Sequence, residues 1–419
     1  MIYRGNQPKP LKTRPGEPDD NIILNLAGLV VDAGVDALFG RDLKITAKDD
    51  TGDGTDEQAT EFLDLLYSDA GMLTWQGAAT NGAIAGHAAI RIVPAGENSR
   101  PGDPPRLLVV DPEMLRVVWA PDDIGRVLAY CLQWMTYDER GREVARRQII
   151  EPNGAEWVIR DQESSAQSSA RWRDLGESQW RYSWAPIVDA QNLPEPNNYY
   201  GRPDLTNDVV ETQQALNRVM SNAARVQRIH GHPKVVAKGV GDGDLDVGPD
   251  EAIVLPDSES EVSLLEPRAT VSDHLALFET VKSALHEISR VPEITAGKVE
   301  NVGQLSGLAL KILYGPLIRK TEVKRRLYGR MISEVSRRSA ELAGYGPDVD
   351  AQVEWPEIIP DSPLDEAAAA SALQAAGVSK ATTLSHMGYD AEFEADQSRD
   401  ENGNLGAAIM GAFDAGMTG

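Results

Sequence analysis

One cysteine in 419 residues, Cys131, excludes an intrachain disulfide and a structural zinc cluster of thiolates. It lies in the apolar run VLAYCLQWM, which predicts a buried, inert thiol. Histidine is also scarce, with six in the chain. Only His230 and His232 stand close together, at an expected helix end, and no His-Glu-x-x-His pair is present, so no zinc helix is available. No apolar run reaches bilayer length. The most apolar stretch, IILNLAGLVVDAGVDALF at 22–39, is short for a membrane and broken by Asn25, Asp32 and Asp36, which predicts a buried amphipathic helix. The first twenty residues, MIYRGNQPKPLKTRPGEPDD, lack the apolar core of a leader; this basic, proline-rich stretch is expected to be a flexible arm on a cytoplasmic protein. Positive charge is short as well: 41 Lys and Arg face 65 Asp and Glu, a net charge of −24. That balance argues against a broad grip on nucleic acid, which needs cations to neutralise phosphates. An acidic wall would instead repel a polyanion and let it slide.

Catalytic motifs are equally thin. Gly297-Lys298 lacks the upstream glycine and the following Ser or Thr of a phosphate-binding loop. GQLSGLA places Ser306 at the wrong spacing for a nucleophile elbow. In DDTGDGTDE, Thr51 holds the third place of a calcium loop and Thr60 the twelfth, while GDGDLDVG offers Asp242, Asp244 and Asp246 without the required glycine. Both read as acidic turns. No catalytic residue, cofactor or metal is assigned.

What is present is enough to fold. Apolar residues make up 41 % of the chain, with 8 Trp and 11 Tyr, and the length predicts two or three structural units of α+β class. EQATEFLDLLYSDA predicts a helix, MLTWQGAATNGAIAGHAAIRIV a helix followed by a strand, and three runs between 106 and 161 a meandering sheet. Ser164 to Ser169 read as a polar loop. After NNYYGRPDL, Leu205, Val209, Thr212, Leu216, Val219, Ala223 and Val226 recur at helical spacing until Gly231 and Pro233. Thr270 and Asp273 resemble a capping box for a second helix with the stripe Val271, Leu275, Phe278, Val281, Leu285 and Ile288, which Pro292 ends. These two helices flank a Gly-, Asp- and Pro-rich strand-and-loop insertion. A projecting pair of this kind has more sides than one partner can cover, so neighbouring subunits are expected to cover the rest. From Ser306 to Ala343 the pattern is helical again, with Gly315-Pro316 predicted to kink it.

Four segments, APIVDAQNLPEPNNYYGRPDLTNDVVETQQALNRVMSN with HPKVVAKG, SRVPEI, SGLALKILYGPLIRKTEVKRR and AAGVSKATTLSHMGYDAEFE, occur in an order and spacing that resembles the portal proteins of tailed double-stranded DNA bacteriophages of the long-tailed siphophage type. The resemblance spans roughly residues 57 to 395. It implies a portal fold: after an N-terminal arm at 1–20, an α/β wing at 21–203, stem helices at 204–230 and 270–292, a clip at 231–269, a tunnel loop at 293–304, a long kinked wing helix at 305–345, and a crown or C-terminal region at 346–419. It also implies a non-enzymatic homo-oligomeric ring, twelve subunits in number, at the capsid vertex of the virion and assembled in the host cytoplasm. The implied partners are the terminase large subunit, head-completion or adaptor proteins, major capsid and scaffolding proteins, and double-stranded DNA bound without sequence preference; no membrane is implied. Channel-loop candidates are Thr295, Gly297, Lys298, Val299, Glu300, Asn301 and Gln304. Clip candidates are Asp242, Asp244, Asp246, Asp257 and Glu259.

The long helix carries nine Lys or Arg between 311 and 338 against Glu322 and Glu334. Arg319, Lys320, Lys324, Arg325, Arg326 and Arg330 are candidates for intersubunit pairing or DNA contact, and a solvated helix face is the plain alternative. Two other classes stay open: a different ring-forming head-tail connection protein, and a metal-dependent nucleic-acid enzyme, for which no motif cluster is found.

Overall fold

The computed structural model describes residues 2–48, 54–96, 100, 102–165, 171–230, 234–238, 261–265, 271–293, 307–359 and 370–386. The chain divides into two compact units, one of Met1–Val299 with Tyr314–Pro356 and one of Glu300–Leu313 with Glu357–Gly419.

In the first unit, a single turn at Ile2–Arg4 and an extended stretch lead into α1 (Leu26–Phe39), where the Asn25 side chain accepts from the Gly28 N–H. β1 (Lys44–Lys48) is followed by α2 (Glu57–Leu66), capped by Asp56, and α3 (Asp69–Ala85). α3 stops at Gly86, φ 84°, where any Cβ would collide with the Gly201 carbonyl. Next come β2 (His87–Val93), β3 (Arg106–Val109), β4 (Leu115–Ala120), β5 (Asp123–Tyr137), β6 (Glu143–Asn153), β7 (Glu156–Ser165), β8 (Arg173–Trp180) and β9 (Ile187–Gln191). β4 to β8 form an antiparallel five-stranded meander; β4 to β7 fall in the runs expected to make it, β8 lies beyond them, and β3, expected in the same sheet, instead joins β2 and β9 in a three-stranded sheet of order β3-β2-β9. Ser164 and Ser165 end β7, and 166–169 lie outside the described residues.

Two long helices follow, α4 (Asn207–His230) and α5 (Val271–Ser289), with β10 (Lys234–Lys238) and β11 (Glu261–Leu265) between them. α6 (Gly307–Ala343) begins in the second unit and passes into the first at Tyr314. The second unit also contains a short helix, Lys380–His386, at whose start the Ser379 hydroxyl accepts from the Thr382 N–H.

The main core collects α1, α2, α3, α6 and the inner sheet faces around Phe39, whose ring lies 6.2 Å from Trp75, 5.8 Å from Tyr328 and 5.7 Å from Trp355. Gly82 lets α3 approach α6, since a Cβ there would strike the Tyr328 hydroxyl. Residues 346–356, expected in the C-terminal region, belong instead to this body. β12 (Asp350–Glu354) pairs antiparallel with β1 along its length. The reason lies in its alternation: Ala351, Val353 and Trp355 all pack toward the core.

The N-terminal arm, expected to be flexible at 1–20, is held over its described residues from 2 onward. Leu11 and Asn21 exchange hydrogen bonds of 2.8 and 3.0 Å, and Lys9 pairs with Asp19. The return segment is fastened to α4 by polar residues four apart on one helix face. Gln213 Nε2 donates to the Leu24 carbonyl (2.8 Å) and Gln213 Oε1 accepts from the Ala27 N–H (2.9 Å). Asn217 Oδ1 accepts from the Leu24 N–H (3.0 Å), and Ser221 Oγ accepts from the Ile22 N–H (2.9 Å). Arg225 and Arg228 then close on Asp20, Arg228 through two contacts of 2.7 Å. These contacts draw the Asp20 carboxyl below the usual carboxylate range. Gln213, Asn217 and Ser221 are completely or almost completely buried, yet each has partners.

Gln213→Ala leaves the Ala27 N–H without its partner, while the Leu24 carbonyl keeps the Gln7 side chain. The substitution is expected to cost about 1–3 kcal/mol for the group left unpaired. In limited tryptic proteolysis, cleavage after Lys12, which unlike Lys9 and Arg14 is not followed by proline, should accelerate. Cleavage as slow as in the parent protein would show that the ladder does not hold the arm.

Candidate functional site

α4 and α5 are about 36 Å and 28 Å long at 1.5 Å per residue. They meet through Val209 and Leu216 on α4 and Leu285 on α5, with Phe278 and Val281 packed alongside. Part of the stripe predicted for α5 is therefore inward. Leu275 and Ile288, however, are 46 % and 42 % exposed, beside Leu277 at 51 %. Lys282, His286 and Ser289 take buried places instead. Lys282 pairs with Glu293 and Glu279, and the His286 Nδ1 lies 2.9 Å from the Val291 carbonyl. One protomer covers only one side of α5, and polar groups fill that side where the helix ends near other backbone.

β10 and β11 pair antiparallel from Lys234↔Leu265 to Lys238↔Glu261 and join the two helices. The clip candidates Asp242, Asp244, Asp246, Asp257 and Glu259 lie outside the described residues. So do the loop candidates Thr295, Gly297, Lys298, Val299, Glu300, Asn301 and Gln304, and the Thr270 of the predicted capping box.

The roots of these helices converge on one carboxylate. Asp204, just ahead of α4, has a fully buried side chain. Lys324 Nζ lies 2.5 Å from its Oδ2, and Lys320 Nζ lies 3.1 Å from its Oδ1. Lys320 also donates to the carbonyl of Ser289, the last residue of α5, at 2.9 Å. From α1, Gly34 leaves room above the pair, because a Cβ would come within 3.2 Å of the carboxylate. Burial alone would raise the Asp204 pKa, but the two ammonium groups overcome it and hold the carboxyl below its usual range. Burial pushes Lys324 down, Asp204 opposes this, and Lys320 adds to it, as expected when two cations share one anion.

This placement corrects the expectation that Lys320 and Lys324 face a neighbour or DNA: they are 6 % and 1 % exposed and satisfied inside the protomer. Their register on α6 coincides with the core face of Leu317, Thr321, Tyr328 and Met331. Arg325 is partly buried, donates to the Pro356 carbonyl at 2.6 Å and lies 5.3 Å over the Trp355 ring. Arg319, Arg326 and Arg330 are exposed. α6 runs as one helix through Gly315-Pro316, where the missing proline N–H removes one helical hydrogen bond.

A histidine that sequence spacing did not single out sits between the sheets. His87 Nε2 lies 2.7 Å from Asp189 Oδ2, which also accepts from Tyr199 (2.6 Å), while Tyr130 donates to Oδ1 (2.8 Å). Burial opposes ionisation of Asp189, but His87 and both tyrosine hydroxyls hold its carboxyl below the normal range. Trp119 stacks on Tyr199 at 5.1 Å. A cavity of about 280 Å³ beside it is lined by Ala89, Leu115, Tyr200 and His87, with Glu113 and Arg116 also on its wall. The hydroxyls bonded to this carboxylate among the described residues are the phenols of Tyr130 and Tyr199, whose pKa burial drives upward. The cluster ties β2 and β9 to β5. Among the described residues, no three His, Cys, Asp or Glu side chains form a metal group, and no helix is long and apolar enough to cross a membrane.

Asp204→Asn leaves two buried ammonium groups without their anion and is expected to cost about 3–5 kcal/mol in denaturant unfolding. Lys324→Met removes the surplus cation while keeping the Asp204–Lys320 pair, and should cost far less or nothing. Asp204 stabilises fully above its unfolded pKa of about 4, and that contribution is lost as pH falls through the lowered folded value. The Asn variant should lack this acid-side loss. Equal costs for the two substitutions would contradict the junction described above.

A family pattern described as phage portal protein, SPP1 Gp6-like, matches residues 2–404. Among curated proteins, no relative matches the chain. Solved structures share its fold, two necks of GTA particles among them. "Neck of empty GTA particle computed with C6 symmetry" superposes with a TM-score of 0.54 at 13 % identity, covering 87 % of this chain and 90 % of the other. "Neck of native GTA particle computed with C12 symmetry" gives 0.51 at 12 %, covering 87 % and 89 %. With the family pattern running over nearly its whole length, the chain belongs to the SPP1 Gp6-like family of phage portal proteins.

Proposed function

We propose that this protein forms a twelve-subunit ring at one capsid vertex of a virion, the conduit through which double-stranded DNA is packaged and later ejected. Family membership across residues 2–404 is the observation that carries this reading. The symmetry of the two neck structures, C6 and C12, fits a ring. The exposed Leu275, Leu277 and Ile288 on α5 and Ile229 on α4 fit helices whose open sides meet neighbouring copies. A net charge of −24 fits a channel wall that repels DNA and lets it slide.

In this reading α4 and α5 are the stem, and residues 231–269 are the clip that docks the terminase large subunit and then the head-completion or adaptor proteins. Residues 293–304 form a tunnel loop. There Lys298 meets phosphate, and Thr295, Val299, Asn301 and Gln304 give sequence-independent contacts that Glu300 keeps weak, with Gly297 supplying backbone freedom. Capsid and scaffolding proteins surround the ring during assembly in the host cytoplasm. The protein performs no chemistry itself; the terminase supplies ATP hydrolysis.

Light scattering after gel filtration should give a mass near twelve times 45.5 kDa, with a central hole in negative-stain images of the same peak. A compact small oligomer with metal-dependent nuclease activity would overturn the proposal. Charge reversal of Asp242, Asp244 and Asp246 should abolish terminase binding and packaging while leaving the ring intact. Unimpaired packaging would remove the clip from the docking role.

A further inference from the structure

The nine cations of α6 separate into two groups. Six are engaged within the protomer. Lys311 lies 3.9 Å from Glu357, Lys320 and Lys324 hold Asp204, and Arg325 is bound to the Pro356 carbonyl. Arg337 and Arg338 both reach Glu334, at 2.8 and 2.7 Å. The remaining three, Arg319, Arg326 and Arg330, are exposed and have no ion pair or hydrogen bond with any described residue. At about 100° and 1.5 Å per residue, positions 319, 326 and 330 fall within roughly 40° of arc along some 16 Å of helix. The unsatisfied positive charge of this helix is thus one straight row, with the exposed Glu322 about 60° to one side of it.

A matching row of opposite sign lies on α2. Its inner face, Ala59, Phe62, Leu63 and Leu66, is buried in the core. On the outer face Glu57, Glu61 and Asp64 are exposed, and none has a partner among the described residues. Glu57 and Glu61 are four residues apart, as are Arg326 and Arg330, so both pairs span about 6 Å along their axes. Leu65, 60 % exposed beside Asp64, adds an uncovered apolar contact to the acidic side.

We propose that the arginine row on α6 of one subunit seats on the Glu57–Glu61–Asp64 row of α2 of the next copy of this chain. The occupant is a second copy because that copy supplies carboxylates at the same spacing, a register that a sequence-independent duplex does not require. The two rows lie on different elements, so the contact is heterologous. A heterologous contact repeated in one sense closes into a ring when its rotation divides a full turn, as the ring reading requires. This assignment rests on the ring reading above. Single exposed pairs are weak, but a closed ring repeats each of them at every interface.

Charge reversal tests it by native mass across a protein dilution series. R326E/R330E and, separately, E57R/E61R should each raise the half-assembly concentration roughly tenfold or more. The four-fold variant carrying both reversals should restore the ring. Thermal unfolding should stay at the parent value in every variant, because all four positions are exposed. Rings undisturbed by either reversal, or disturbed by both and not restored by their combination, would overturn the pairing while leaving the ring reading in place. Intact R326E/R330E rings that pass DNA poorly would reassign the row to nucleic acid. A parent protein that never forms rings would remove both the pairing and the reading beneath it.

Discussion

One buried carboxylate, Asp204, faces two buried lysines, and the helical framework converges on that point. Lys320 and Lys324 come from α6, Asp204 opens the path into α4, Ser289 closes α5, and Gly34 of α1 leaves the space above. Charges taken out of water are costly unless each is matched in both distance and direction. Four segments distant in sequence must therefore stand in one relative arrangement before the site is tolerable at all. Apolar packing around Phe39, Trp75 and Tyr328 supplies the bulk attraction, but it admits small slips that an ionic junction does not.

The same economy governs the rest of the chain. Most cations of α6 are turned inward onto carboxylates or carbonyls, although the protein as a whole is strongly acidic. Polar groups are buried along α4 as well, where Gln213, Asn217 and Ser221 satisfy the backbone of the N-terminal arm. In both places polar residues direct the packing, while apolar side chains are left uncovered on several elements, among them Leu65 on α2, Leu73 on α3, Met135 and Tyr137 on β5, Leu277 on α5 and Ile312 on α6.

How much of this was legible depends on which faces announce themselves in sequence. α4, α5 and α6 stand where their periodicity and flanking Gly and Pro place them, because a long helix repeats its signal many times. The β4–β7 part of the meander was legible for the same reason, from turns between β-branched runs. Gln213, Asn217 and Ser221 drew no notice in the sequence, since nothing in a polar side chain declares that distant backbone will cover it. Lys320 and Lys324 were read as surface charge; only their phase relative to Leu317, Tyr328 and Met331 would have betrayed them. Leu275 and Ile288 erred in the opposite direction, because a stripe drawn for burial takes no account of how many sides a single partner can reach. The short β12 carried too few residues to signal its pairing with β1.

The ladder between β10 and β11 fixes the two ends of the intervening chain a strand spacing apart, about 5 Å. Once both ends are pinned there, each doubling of the length between them costs only about 0.6 kcal/mol in closure entropy. Insertions, deletions or wholesale replacement between Lys238 and Glu261 therefore leave the helices on either side undisturbed. The pair of strands works as an interchangeable socket, on which one insertion can replace another while the body stays unchanged.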